Sequence, residues 1–131
     1  MKYTVQIKDS AEFDVDFLEF GIAGDGASEG WADLYIRVVD EEEEIYTDAD
    51  KKSVWMEWLD ACCGEKNNPE ERIRKVVAKV YGGDTDSDVY RTLTIENGYI
   101  DSYVESSAGT TYQYQAVIKR APLKKGKVSV E

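Results

Sequence analysis

Three stretches of this chain carry residue types that could do chemistry, and the first is Asp84-Thr85-Asp86-Ser87-Asp88. Its carboxylates at alternate positions copy the first three ligands of a calcium-binding EF-hand loop. Such a loop next needs Gly at its sixth position and a bidentate Glu at its twelfth, but those places hold Val89 and Ile95. Strand-like sequence flanks the segment where helices should stand, so it reads as a solvated turn. The second stretch is Cys62-Cys63. Neighbouring cysteines rarely bridge, because the bond would be strained. With no further Cys and no His to complete a metal site, a reduced pair is expected, one thiol facing the core as a small hydrophobe. The third is glycine: Gly24-Asp25-Gly26 and Gly82-Gly83 lack the strand-to-helix setting and the trailing Lys-Ser/Thr of a phosphate cradle. Both read as turns.

The absence of His removes the commonest general base and the commonest metal ligand. Carboxylates are so abundant, 27 in all, that any chosen pair is unspecific. The expectation is a protein that is not an enzyme, with no catalytic residue, no cofactor-binding residue and no metal ligand.

The bulk composition is equally restrictive. A length of 131 residues fits one domain, residues 1–131, and 42% hydrophobic residues suffice for a core without metal or disulfide support. Apolar runs reach only three residues, as in Val76-Val77-Ala78, and none follows Met1-Lys2. No membrane span and no signal peptide is expected, which places synthesis in the cytoplasm. A net charge of −11 disfavours direct binding to nucleic acid, whose backbone calls for Lys and Arg. Residues 1–65 hold 18 acids and 5 bases, whereas residues 66–131 hold 9 acids and 11 bases. That polarity suits head-to-tail self-association, although a solvated acidic face accounts for it as simply.

The elements that would position these residues are mostly strands. Lys2 to Lys8 alternates Tyr3, Val5 and Ile7 against polar neighbours, the period of a half-buried strand. Phe13, Val15 and Phe17 begin a second alternation that ends in Leu18 and Phe20, before a glycine-rich loop from Gly21 to Gly30. The segment Phe13 to Gly30 thus runs from an alternating strand into a flexible loop. Trp31 to Val39 reads as a strand through Leu34, Ile36 and Val38. The run Asp40-Glu41-Glu42-Glu43-Glu44 ends it by like-charge repulsion and opens a solvated acidic loop over 40–48.

Then the period changes. Val54, Trp55, Trp58, Leu59 and Cys62 form one stripe of an amphipathic helix over about 50–63, with Asp48 and Asp50 at its start and Gly64 as its left-handed cap. Plain core packing is the expected role of the tryptophans. Strands return at Arg72 to Tyr81, with Val76, Ala78 and Val80 on one face. Val89 to Glu96 follows, with Val89, Leu93 and Ile95 on one face. Asn97-Gly98 fits either a hairpin turn or a bulge in a continuing strand. Tyr99 to Glu105, a loop at Ser106 to Thr110, and Thr111 to Arg120 complete the series. The basic tail 121–131 adds an edge strand through Val128 and Val130. Six or more strands with one inserted amphipathic α-helix make a mainly β fold, either a β-barrel or two packed antiparallel sheets.

Three segments in this order carry a family resemblance. Val54-Trp55-Met56-Glu57-Trp58-Leu59-Asp60-Ala61-Cys62-Cys63-Gly64 closes a helix. Val89-Tyr90-Arg91-Thr92-Leu93-Thr94-Ile95-Glu96-Asn97-Gly98 continues into Tyr99-Ile100-Asp101-Ser102-Tyr103. Thr111-Tyr112-Gln113-Tyr114-Gln115-Ala116-Val117-Ile118 is an aromatic, glutamine-containing strand. Over roughly residues 50–120 the chain thereby resembles the haemolysin-coregulated protein (Hcp) family, the tube subunit of type VI secretion systems. That family is similar in fold to the tail-tube proteins of contractile phages. The resemblance implies a barrel with an attached helix, a bulge at Asn97-Gly98, and hexameric rings that stack as a tube. In such an assembly Phe13 to Gly30 is expected to form a ring-to-ring or intersubunit arm that orders on assembly. It implies self-contacts first, with sheath, spike or baseplate proteins as further partners, and a product that is secreted or built into a virion-like particle. The short length and the Glu41 to Glu44 run depart from the pattern. They leave the contractile system open among type VI secretion, a phage tail and a related injection particle.

Two other readings compete. An acidic binding module or inhibitor, mimicking a polyanion, would present a stripe of carboxylates to a basic partner. A carboxylate-pair enzyme would need buried acids in a concave pocket.

Overall fold

The computed structural model describes residues 1–24, 33–41, 49–63, 68–121 and 128–131. In chain order its elements are β1 (Lys2–Ile7), β2 (Phe13–Val15), β3 (Phe17–Ala23), β4 (Asp33–Asp40), α1 (Ala49–Cys62), β5 (Arg74–Gly82), β6 (Asp88–Ala108), β7 (Thr111–Arg120) and β8 (Val128–Val130). The strands pair antiparallel throughout, in the order β2-β1-β5-β6-β7-β4-β3, and β8 pairs β6. The two ends of that path are consecutive in the chain, separated only by Asp16. One segment, 13–23, therefore pairs with β1 through its first part and with β4 through its second. The sheet has to roll up on itself, and β1 approaches β3 as β2 approaches β4.

A second long strand makes the same change of partner. The 21-residue β6 pairs β5 up to Gly98 and β7 from Gly98 onward. Two sheets thus share two strands that cross between them, one turning at Asp16 and the other at Gly98. Bends and bulges are how strands switch sheets in such packings. The barrel and the pair of packed sheets are here the same object. At the crossing, Glu96 and Asn97 of β6 stand opposite the single residue Lys75, which is a bulge in a continuing strand and not a hairpin turn. Gly98 is buried there, and a Cβ on it would come 2.9 Å from the Arg74 carbonyl oxygen.

Three register details change the side-chain pattern expected from alternation. The corner at Asp16 reverses the phase, so Phe17 lies on the outer face with Glu19 while Leu18 and Phe20 face as Val38 and Ile36 do. Tyr90 is an extra residue between the pairs Val80↔Arg91 and Tyr81↔Val89; it turns Val89 away from the core, where Leu93 and Ile95 remain buried. The expected loop at Ser106 to Thr110 is mostly strand. Ala108 pairs Thr111, and Gly109 supplies the positive φ of 62° for a two-residue turn. Residues 13–23 are built into the barrel and do not form a separate arm. Residues 25–30 of that expected arm, together with Trp31, Asp48, Gly64 and Glu42 to Glu44, lie outside the described residues, as does the side chain of Asp50.

α1 fills the opening between the sheets. Lys51, Trp55, Trp58 and Ala61 recur at helical spacing and are all buried. The Trp55 ring stacks on Trp58 at 6.1 Å and meets Phe13, Tyr103 and Tyr114 within 6.2 Å, so the helix joins the core through aromatic contacts. Each indole N–H has a partner: Trp55 donates to the Tyr114 hydroxyl at 3.0 Å and Trp58 to the Arg72 carbonyl at 3.0 Å. The Tyr114 hydroxyl donates to Asp40 Oδ2 at 3.1 Å, and Lys51 Nζ meets the same oxygen at 2.7 Å. Asp40 was expected to open the solvated acidic loop, yet it is the last residue of β4 and almost fully buried. The reason is phase, because Asp40 follows Ile36 and Val38 on the inward face. Among the described residues no buried side-chain polar atom lacks a hydrogen-bond partner.

Lys51→Ala leaves Asp40 buried without its cation, and urea unfolding is expected to read a loss of about 3–5 kcal/mol. Gly98→Val forces the β5–β6 crossing apart; the same measurement is expected to read a loss of about 1–3 kcal/mol.

Candidate assembly surface

The closure that makes the barrel leaves several strand edges without a strand partner among the described residues, and two of them are long. β3 pairs β4 on one side only, over Phe17 to Ala23. The second half of β6 pairs β7 on one side only, over Tyr99 to Ala108. An open edge presents unpaired N–H and C=O groups, a template for another chain. Natural edges are usually blunted by Pro or Lys, and neither residue occurs in β3. Instead β3 exposes apolar side chains on its inward side: Phe20 is 39% and Ile22 71% accessible. On the β6 half, Val104 is 54% accessible.

The β3 edge is tied to its neighbours by side chains. On its outer face Glu19 accepts hydrogen bonds from the Tyr35 hydroxyl at 2.6 Å and from Arg37 Nη1 at 3.2 Å. Arg37 also donates from Nε and Nη2 to Gln115 Oε1, at 3.2 and 3.1 Å, and lies over the Phe17 ring at 5.3 Å. The ladder ties β3 to β4 and β7. The Tyr35 hydroxyl, with help from Arg37, holds the Glu19 carboxyl below its ordinary pKa, and Glu19 in turn pushes the Tyr35 hydroxyl up.

The β6–β7 hairpin forms a projecting second feature. β4 ends at the pair Asp40↔Tyr114, and beyond it Ser106↔Gln113, Ser107↔Tyr112 and Ala108↔Thr111 have no third strand beside them among the described residues. Glu105 stiffens the base of this projection by accepting from the Tyr103 hydroxyl at 2.8 Å and the Tyr112 hydroxyl at 2.6 Å.

The other residues singled out for chemistry fall elsewhere. Asp84 to Asp88 form the β5–β6 turn, where Asp86 pairs with the N-terminal amine at 3.3 Å and Thr85 and Ser87 share a hydrogen bond. Cys62 is half-buried at the end of α1, where burial raises its thiol pKa; Cys63 is exposed. Sequence reasoning missed Asp40 and Lys51. The signal was present, since each is a charge standing in phase with an apolar stripe.

No protein-family model and no curated protein matches this sequence. The fold, however, has clear counterparts among solved structures. Hcp1 from Flavobacterium johnsoniae superposes with a TM-score of 0.59 at 14% identity, over 99% of this chain and 94% of that one. A further Hcp protein gives a TM-score of 0.60 at 9% identity, over 100% and 98% of the two chains. A chain of the sheath-tube complex of an extracellular contractile injection system, PVC, in its extended state gives 0.56 at 9%, over 99% and 88%. This chain has the mainly β, one-helix fold of Hcp proteins, the resemblance expected from its sequence.

A carboxyl whose pKa falls on folding adds stability above its unfolded value, and that contribution is lost as pH drops through the folded one. A carbon-detected NMR titration of Glu19 is expected to give a midpoint below about 4.3. Tyr35→Phe is expected to move that midpoint up.

Proposed function

We propose that this chain is a structural, self-assembling tube subunit of a contractile injection apparatus, of the type VI secretion or phage-tail-like kind. The observation that carries the reading is the pair of open, stiffened strand edges on a barrel with the Hcp fold. In this reading the edges pair between copies to close a ring, a homohexamer, and rings stack through their ends. Sheath, spike or baseplate proteins are the further partners, the sheath-tube complex among the fold's counterparts supporting the first. The unit of assembly is the whole chain as one domain. The part needs no catalytic site, cofactor or metal, and it would be made in the cytoplasm and then secreted or built into a particle.

The acidic-module alternative calls for a stripe of unpaired carboxylates. On the described surface four carboxylates are paired, Glu71 with Lys8, Asp101 with Lys119, Asp33 with Arg120 and Asp14 with Lys2, which counts against such a stripe at those places. Nor does any helix among the described residues have the length and apolarity to cross a membrane.

Light scattering and negative-stain images at rising concentration test the proposal. Ring-sized or tubular particles are expected, and a strict monomer at the highest concentration would sink it. Ile22→Lys places a charge on an exposed edge. It is expected to leave monomer stability within about 0.5 kcal/mol while abolishing the particles.

A further inference from the structure

The first half of β6 has β5 along one side, and at Gly98 the strand is paired on both, to Arg74 and to Arg120. On the β7 side the chain then turns back along β6. Ala121 donates its backbone N–H to the Asn97 carbonyl at 2.8 Å. β8 follows in the register Ile95↔Val128, Thr94↔Ser129 and Leu93↔Val130. Thr92 and Glu131 close the line by exchanging both backbone hydrogen bonds, at 2.7 and 2.8 Å. Pairing on this side of β6 thereby runs from Thr92 to Ala108, through β7 for the longer part and through residues 121 and 128–131 for the shorter. The edge that β8 covers borders the core. Leu93 and Ile95 are almost fully buried, and Val130 stands opposite Leu93. Uncovered, the backbone groups of Thr92 and Thr94 would flank two core side chains, an apolar edge of the kind that pairs with another chain.

We propose that residues 128–131 are an autoinhibitory strap, which fills the Thr92 to Ile95 edge of β6 within the chain and bars a second copy from pairing there. A strand of three residues is too short to bind from solution, since even a two-stranded hairpin is marginal by itself. It suffices here because it is tethered. Ala121 sits at Asn97 and Val128 at Ile95, so the chain between them has only two positions of β6 to cover, roughly 7 Å. A tether this short holds the strand at an effective concentration of order mM, about a thousandfold above a second copy at μM protein. The strap in turn offers a neighbour little, because it is very short and carries the exposed Glu131 at its end. Short strands and charged residues are how natural edges are blunted. Association is thereby directed toward the long edges of β3 and of β6 beyond Gly98. The strap acts on an edge that the proposed tube contacts do not use, so it can fail while the tube reading holds, and the reverse.

Thr92 and Glu131 form a doubly bonded pair, so the next such pair two residues along is Thr94 with Ser129. Ser129→Pro removes that N–H and lifts the strap while leaving every residue of β6 in place. Hydrogen exchange is expected to find the Thr92 amide protected in the native chain and to exchange about tenfold faster or more in S129P. An unprotected Thr92 amide in the native chain overturns the strap outright. At a concentration where light scattering finds the native chain monomeric, S129P is expected to associate. That association is expected to persist when Ile22→Lys is added, because it bypasses β3, and to recede with about mM of a synthetic peptide of residues 128–131. S129P that exchanges Thr92 faster yet stays monomeric overturns the proposal, and so does association that I22K abolishes. Should S129P not fold, or leave the Thr92 amide protected, the chain ended after Ala121 carries the same comparison.

Discussion

The buried pair between Asp40 and Lys51 constrains everything around it. Removing two charges from water costs several kcal/mol per ion, and a pair is tolerated only with close geometry and further hydrogen bonds. Here the ions sit 2.7 Å apart and the Tyr114 hydroxyl supplies a further bond to the carboxylate. That hydroxyl is itself held by the Trp55 indole, so four side chains from β4, α1 and β7 settle into one arrangement. A helix held by grease alone could rotate by tens of degrees and still bury its face. This one cannot without stranding a charge, and its single rotation is what sets Trp55 against Phe13, Tyr103 and Tyr114.

The helix in turn makes the closure of the sheet worthwhile. Two strands change partners, at Asp16 and at Gly98, and each change costs local regularity. The gain is a shared core in which residues of both sheets meet, including Val5, Ile7, Ile36, Val38, Val76, Ile95 and Ile118. The same crossings decide where pairing stops. A strand that leaves one neighbour for another has an unused side on each half, and the long open edges of β3 and β6 are among those unused sides. Because Glu19, Tyr35, Arg37 and Gln115 lock β3 in place, association through that edge need not first order it, and pre-ordering lowers the cost of binding.

Much of this was legible in the residue pattern. Alternation in β1 and β5 named the inward side chains correctly, because a strand buried on one face must repeat every second residue. The stripe through Trp55 and Trp58 named the helix for the equivalent reason. The failures share one cause. Phe17 and Val89 were placed on the wrong face since a corner or a single extra residue inverts the phase, and nothing in the local composition marks either. Asp40 was read as solvated because four glutamates follow it, although its position in the β4 alternation pointed inward.

By itself, then, the sequence determined the element types, the inward faces of the regular strands, the amphipathic helix and the absence of His-based chemistry. These follow from period and residue type, which are local properties. Only the tertiary structure decided that Asp40 meets Lys51, that residues 13–23 belong to the barrel, and which edges are left unpaired. Those depend on contacts between residues far apart in the chain, where one residue at Asp16 or Gly98 determines which strand lies next to which.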